Sequence, residues 1–254
     1  MEEQVYAYHN EEEGRHWWFV SRRRVLTPLI DFCMRQHRDD LIVDVGCGTG
    51  GTVSDLSPRF ACIGIDHSQQ AIAMARGKYP HCRFVCGPLE SELPALAPNV
   101  ALYTLMDVLE HIEDDRGFLN QIAIVMRPGS RLLITVPADM SLWSEHDVAA
   151  RHLRRYDSET LAALWKNQPL KLVAATPFNA RLYPLIRMAR LIGKWFGVFN
   201  GRGGRDLATP PWPINRLLTA IFSSEQRRIS SLVSPAGGRP FRRGTSLLAL
   251  LERI

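Results

Sequence analysis

Between residues 41 and 137 the chain alternates short apolar runs with stretches in which apolar residues recur every three or four positions. LIVDV (41–45), ACIGI (61–65), CRFVC (82–86), VALYTLM (100–106) and RLLITVP (131–137) read as strands. Helical stretches near 50–57, 68–78 and 114–126 separate them, the last stopped by Arg127-Pro128-Gly129. Strands and helices in alternation predict βαβ units and a parallel sheet. After residue 137 come a polar loop (138–156), a helix from Asp157-Ser158 and a strand-like KLVAATPF (171–178). SLLALLERI (246–254) has the length of a final strand returning to the sheet. Ahead of the sheet, 12–36 reads as a helix carrying His16-Trp17-Trp18-Phe19 and then Arg22-Arg23-Arg24. The pattern therefore predicts a doubly wound, mostly parallel α/β sheet of seven strands. It divides into an N-terminal helical lid (1–38), an α/β core (39–178), a helical insertion or cap (179–243) and the last strand (244–254).

Composition narrows the class. With 46% hydrophobic and 22% charged residues, the 254-residue chain is neither disordered nor fibrous. Five cysteines without a CxxC pair point to neither a disulfide framework nor a zinc site, and a reducing cytosol suits them. The acidic start MEEQVYAYHNEEEG does not read as a secretory signal, and no run has the length of a membrane span. The net charge of +5 is unevenly spread: residues 181–243 hold 12 basic and 2 acidic side chains.

Asp44-Val45-Gly46-Cys47-Gly48-Thr49-Gly50-Gly51 leaves a strand and opens a helix. Gly46, Gly48 and Gly51 satisfy GxGxxG, so a dinucleotide site has to be weighed. A carboxylate two residues before the turn would repel a pyrophosphate and attract an ammonium or sulfonium, as in S-adenosylmethionine (SAM). Asp66, closing the second strand, is placed to accept ribose hydroxyls or to cap the helix from Ser68.

At this point the chain resembles the class I SAM-dependent methyltransferases over residues 41–137. DVGCGTG (44–50) is similar to that family's first motif. LMDVLEHIED (105–114) resembles the strand-four exit of its small-molecule members, including the ubiquinone-pathway O-methyltransferases, and RPGSRLLITVP (127–137) resembles its turn into strand five. The resemblance implies a Rossmann-like fold, SAM as cofactor and methyl transfer to O or N of a small or lipid-like acceptor. It implies cofactor contacts from Asp44, Gly46, Gly48, Gly50, Asp66, His67, Leu89, Met106 and Asp107, and from Arg22 or Arg24 toward the SAM carboxylate. Gly87 lacks the acidic residue that many relatives carry next, which leaves adenine recognition to backbone groups or Glu90. Some ubiquinone-pathway relatives hold a divalent cation with an acid-x-x-Glu-His cluster; Asp107, Glu110 and His111 stand at that spacing, on one face if helical, but the expected site has no metal.

The loop 143–156 is densest in chemistry: Trp143-Ser144-Glu145-His146-Asp147, then Arg151-His152-Leu153-Arg154-Arg155-Tyr156. Loops at the carboxyl ends of parallel strands face the ligand crevice. His146 or His152 is expected to act as base or to orient the acceptor, and Arg154 or Arg155 to hold an anionic group. Trp18 and Tyr156 are expected on the substrate side. The HD…RHxRRY run is familiar from bacterial methyltransferases of natural-product and cell-envelope pathways. In 181–199, Leu182, Leu185, Ile186, Ala189, Ile192, Phe196 and Phe199 form one stripe, with Arg187, Arg190 and Lys194 off it. Such a helix suits a cap or a membrane surface. The competing readings are a SAM-binding protein without catalysis, an NAD-type oxidoreductase and an RNA methyltransferase. No nucleic-acid partner is expected, since the Asn/Asp-Pro-Pro-aromatic code for base methylation is missing after strand four.

Overall fold

A computed structural model describes residues 3–196 and 209–254. The chain enters through helices α1 (Glu3–Glu12) and α2 (Trp17–Met34). The alternating region follows as β1 (Leu41–Val45), α3 (Gly51–Leu56), β2 (Ala61–Asp66), α4 (Gln69–Lys78), β3 (Arg83–Cys86), α5 (Leu89–Leu96), β4 (Val100–Met106), α6 (Asp115–Val125) and β5 (Arg131–Pro137). Short helices α7 (Glu145–Ala149) and α8 (Ser158–Ala163) precede β6 (Leu170–Phe178); α9 (Tyr183–Phe196), α10 (Trp212–Ser223) and α11 (Gln226–Ser231) precede β7 (Ser246–Arg253).

The seven strands lie in the order β3-β2-β1-β4-β5-β7-β6. The first five are parallel, and β7 runs antiparallel between β5 and β6. Both faces of the sheet are covered, which is why its strands read as unbroken apolar runs. Val43, Val45, Tyr103, Leu105 and Ile134 pack under α6 and α8. Ile42, Leu102 and Leu133, one residue out of step with them, pack with Val25 and Leu29 of α2, Phe222 of α10 and Ile229 of α11 on the other face. The helices between β6 and β7 therefore share one core with the N-terminal helix rather than standing apart from it.

Two expected elements differ. The helix anticipated over 12–36 spans Trp17–Met34, because His16 adopts an extended backbone and caps it, accepting from the Trp18 N–H at 3.2 Å, and α1 ahead of it is an additional helix. The polar loop after β5 contains a helix, α7, whose start is fixed by Asp147 accepting from the Ser144 N–H at 2.9 Å. Gly201-Arg202-Gly203-Gly204 and Phe199 lie outside the described residues.

Candidate active site

Strand order reverses at β1 and β4, and their carboxyl ends open into a cavity of about 710 Å³. Its floor is the glycine turn. Gly46 (φ 70°) and Gly50 (φ 88°) take left-handed backbone, and a Cβ would come within 2.6 Å of Val108 at the first and of Phe84 at the second. Gly46 and Gly48 line the cavity, and a Cβ on Gly48 would meet nothing within 4 Å, so that side of the turn is open to a ligand. Asp44 and Gly50 do not line it. Asp44 is buried behind the turn and accepts from Thr104 Oγ1 at 2.5 Å; burial pushes its carboxyl up to about 6. Both residues shape the turn from behind.

Asp66 faces the cavity with one oxygen accepting from the Gly48 N–H (2.9 Å) and the other from the Ser68 N–H (2.8 Å). It joins the glycine turn to the cap of α4 and retains lone pairs for a ligand. His67, Leu89, Met106 and Asp107 also line the cavity, His67 at its exposed rim. Arg22 lines it too, but its guanidinium is paired with Asp107 and lies 4.6 Å over the Trp18 ring. Arg24, the alternative to Arg22, faces solvent and does not reach the cavity.

Within the expected N-terminal lid, α1 and the residue after it put Tyr6, His9 and Glu13 against the cavity, none of which the sequence singles out. Glu13 is buried and bridges two segments. One oxygen accepts from Thr49 Oγ1 (2.8 Å) and the Gly51 N–H (3.1 Å), the other from Lys78 Nζ (2.8 Å) and Tyr79 OH (3.0 Å). A carboxylate at the start of α3 satisfies the helix's orphan N–H and its dipole. Nothing local in MEEQVYAYHNEEEG distinguishes Glu13 from Glu11 or Glu12, since its partners lie 36 to 66 residues away.

Glu110, His111, His146, His152 and Arg155 also line the cavity. Asp147, wholly buried, accepts from His152 Nδ1 (2.9 Å) and from Arg155 Nε (2.8 Å) and Nη2 (3.0 Å). Burial opposes its ionisation, but the hydrogen bonds from His152 and Arg155 outweigh that and hold the carboxyl well below the usual range. An ionised acceptor fixes the proton on Nδ1 and leaves Nε2 of His152 as the basic lone pair. The His152 ring lies 4.8 Å from that of His111 and 5.8 Å from that of His146.

Three expected substrate contacts are corrected. Arg155 lines the cavity, but its guanidinium is engaged by Asp147 and the Ala138 carbonyl (2.9 Å). Arg154 pairs with Asp115 at 2.7 Å, and Tyr156 donates to the same carboxylate at 2.7 Å, so both are turned toward α6. Trp18 does line the cavity.

The residues Asp107, Glu110 and His111 do not form one helical face. Asp107 takes a left-handed backbone (φ 60°) and 109–111 makes a single 3₁₀ turn. The donor atoms that converge are those of Glu110, His111 and His152, all within 4.8 Å of one another. Glu110 is wholly buried with neither carboxyl oxygen hydrogen-bonded, and burial holds its carboxyl protonated well above the usual range. This set fits a divalent cation better than the set read from the sequence, in which Asp107 is committed to Arg22.

Burial also holds imidazoles neutral: His146, His111 and His16 are pushed down to about 4 and His9 to about 3. As pH falls from 6.5 toward 4 the unfolded chain takes up these protons and the folded chain does not, so stability is lost across that window. Asp44, Glu110 and Glu225, whose folded carboxyls are raised by burial, oppose this, but they are three groups against four. The unfolding free energy is therefore expected to fall by a few kcal/mol between pH 7 and pH 5. Urea titrations at the two pH values measure it; equal stability would show that these imidazoles charge freely in the fold.

Residues 43–134 match a family model described as methyltransferase domain. "Probable S-adenosylmethionine-dependent methyltransferase" of Mycolicibacterium smegmatis is 27% identical over 154 residues, 59% of this chain and 57% of that one. An O-methyltransferase of Penicillium expansum is 26% identical over 216 residues, covering 79% and 77%. Residues 43–134 therefore match a methyltransferase domain, and the chain is similar to SAM-dependent methyltransferases, spanning little more than half the length of the mycobacterial relative. The fold agrees: a SAM-dependent methyltransferase from Archaeoglobus fulgidus superposes with a TM-score of 0.52 at 16% identity over 90% of this chain and 94% of that one. The matched stretch ends within β5, so residues 135–254, with Asp147 and His152 among them, lie outside the family model.

Proposed function

We propose that this methyltransferase moves a methyl group from SAM to an oxygen or nitrogen of a small or lipid-like acceptor. The observation that carries the reading is that Gly48, Asp66 and His152, the last backed by the buried Asp147, open into one cavity. SAM supplies an electrophilic methyl on a sulfonium. Gly46, Gly48 and Asp66 hold the cofactor at the β1 and β2 ends. His152 Nε2 takes the proton of the acceptor O–H or N–H, and the Asp147 carboxylate stabilises the imidazolium that results. His152 is favoured over His146 because His146 has no carboxylate partner and is too weak a base, with its Nδ1 unpartnered. The apolar rim and the lid residues exclude water while positioning supplies the rest.

A second reading is favoured by Glu110, whose buried carboxyl accepts no hydrogen bond and lies 3.9 Å from His152 Nε2. There Glu110, His111 and His152 would hold a divalent cation that lowers the acceptor's pKa. Activity unchanged after exhaustive chelation supports proton transfer to His152; activity restored only by added metal supports the cation.

The cofactor half is tested at Asp66. Removing its carboxylate costs ~1.5–3 kcal/mol of charge-assisted hydrogen bonding, so Asp66→Ala is expected to weaken S-adenosylhomocysteine binding roughly tenfold to a hundredfold. Calorimetric titration reads it, with circular dichroism confirming the fold. Unchanged affinity would remove Asp66 from the site, and tighter binding of NAD than of the homocysteine product would favour an oxidoreductase.

A further inference from the structure

α9 presents two unlike sides. Ile186, Ala189 and Arg190 line the cavity. Leu185, Met188, Leu191 and Ile192 point outward and are each slightly more than half exposed. Among its described residues the expected stripe is thus divided, because Leu182 and Ile186 find cover while Leu185 and Ile192 do not. The start of α10 adds Trp212 (71% exposed), Ile214 and Leu217. Among the described residues, seven of the thirteen large exposed apolar side chains fall in these two segments, which flank 197–208. Scattered exposed apolar groups are ordinary, but a concentration of this kind marks an interaction surface.

Charge identifies what it meets. Of the two carboxylates in 181–243, Glu225 is wholly buried, accepting from the Arg181 N–H at 2.8 Å, and Asp206 lies outside the described residues. The described surface of this segment is therefore free of carboxylate, whereas Arg181, Arg216, Arg227, Arg228, Arg242 and Arg243 are exposed. Apolar side chains of the size that enters an acyl boundary, with Arg216 over Trp212 and an excess of exposed arginine in the same segment, match the electrostatics and depth of an anionic lipid surface. No helix among the described residues is long and apolar enough to cross a membrane, so the contact is peripheral.

We propose that α9 and the start of α10 form a docking face for an anionic phospholipid bilayer. α9 is then both the membrane-facing surface and a wall of the cavity, which puts the acceptor side of the site next to the lipid. The inference does not depend on methyl transfer, and its test does not read activity.

The full-length protein is mixed with 100-nm vesicles of pure phosphatidylcholine, or of phosphatidylcholine with phosphatidylglycerol, at low and high salt, and sedimented. Binding is expected to the anionic vesicles, weakened by salt, and about tenfold or more weaker for Leu185→Ser/Met188→Ser/Leu191→Ser. S-Adenosylhomocysteine titration of the variant confirms that the cavity is intact, and sedimentation velocity of both proteins reads self-association. Equal binding to neutral and anionic vesicles, no binding, or binding unaffected by the triple substitution overturns the proposal. So does a wild-type dimer that the substitutions dissolve without vesicle binding, which would assign the face to a second copy. A variant that no longer binds the homocysteine product is replaced by the single Leu191→Ser change, judged by the same outcomes.

Discussion

His152→Ala is expected to lower kcat by ~10²–10⁴-fold while product affinity changes by less than about threefold. Its Nε2 is the lone pair left after Asp147 fixes the proton on Nδ1, and the residue lines the cavity. His146→Ala is the matched control, as it removes an imidazole 5.8 Å away that has no carboxylate behind it. If His152 is the base, the loss is confined largely to the first variant. Full activity in His152→Ala would refute the assignment. A parallel loss of S-adenosylhomocysteine binding would place the ring against the cofactor instead.

Why the sequence separates the two halves of this site unequally follows from the range of the interactions. The glycine turn, Asp66 and β4's exit are local: strand, turn and helix start are consecutive, so Gly46, Gly48 and Asp66 could be placed from spacing alone. The acceptor end is assembled from contacts without period. Asp147 reaches His152 five residues on and Arg155 eight on, across a turn in which Arg151 takes φ 58°. The Ser144–Asp147 spacing is a variant of the capping box and was the one local signal that Asp147 turns inward. Arg154 and Arg155 are adjacent and chemically alike, yet one joins Asp115 and the other Asp147. Only the packing of α6 against 154–156 separates them, and no spacing rule contains it. The same limit applies to Glu13 and to α9, whose apolar stripe was visible while the side that remains uncovered was not.

Asp147→Ala is expected to have the largest effect on stability. It leaves the Arg155 guanidinium without its bidentate partner at a site where both side chains are less than a tenth exposed. Removing one member of a buried pair costs ~3–5 kcal/mol. For a chain of this size that corresponds to a fall in Tm of about 6–20 °C. Replacing both partners with apolar groups removes the uncompensated charge, so Asp147→Leu/Arg155→Leu should recover a substantial part of the loss. The double variant should nevertheless remain as impaired in kcat as His152→Ala, because His152 has lost the carboxylate that sets its tautomer and steadies its cation. Recovery of stability without recovery of turnover would separate the two duties of Asp147, packing the loop and orienting the base. Thermal denaturation and steady-state kinetics on the single and double variants measure both. If the double variant regains turnover together with stability, the Asp147–His152 hydrogen bond has no part in the chemistry and the loop acts only as scaffold.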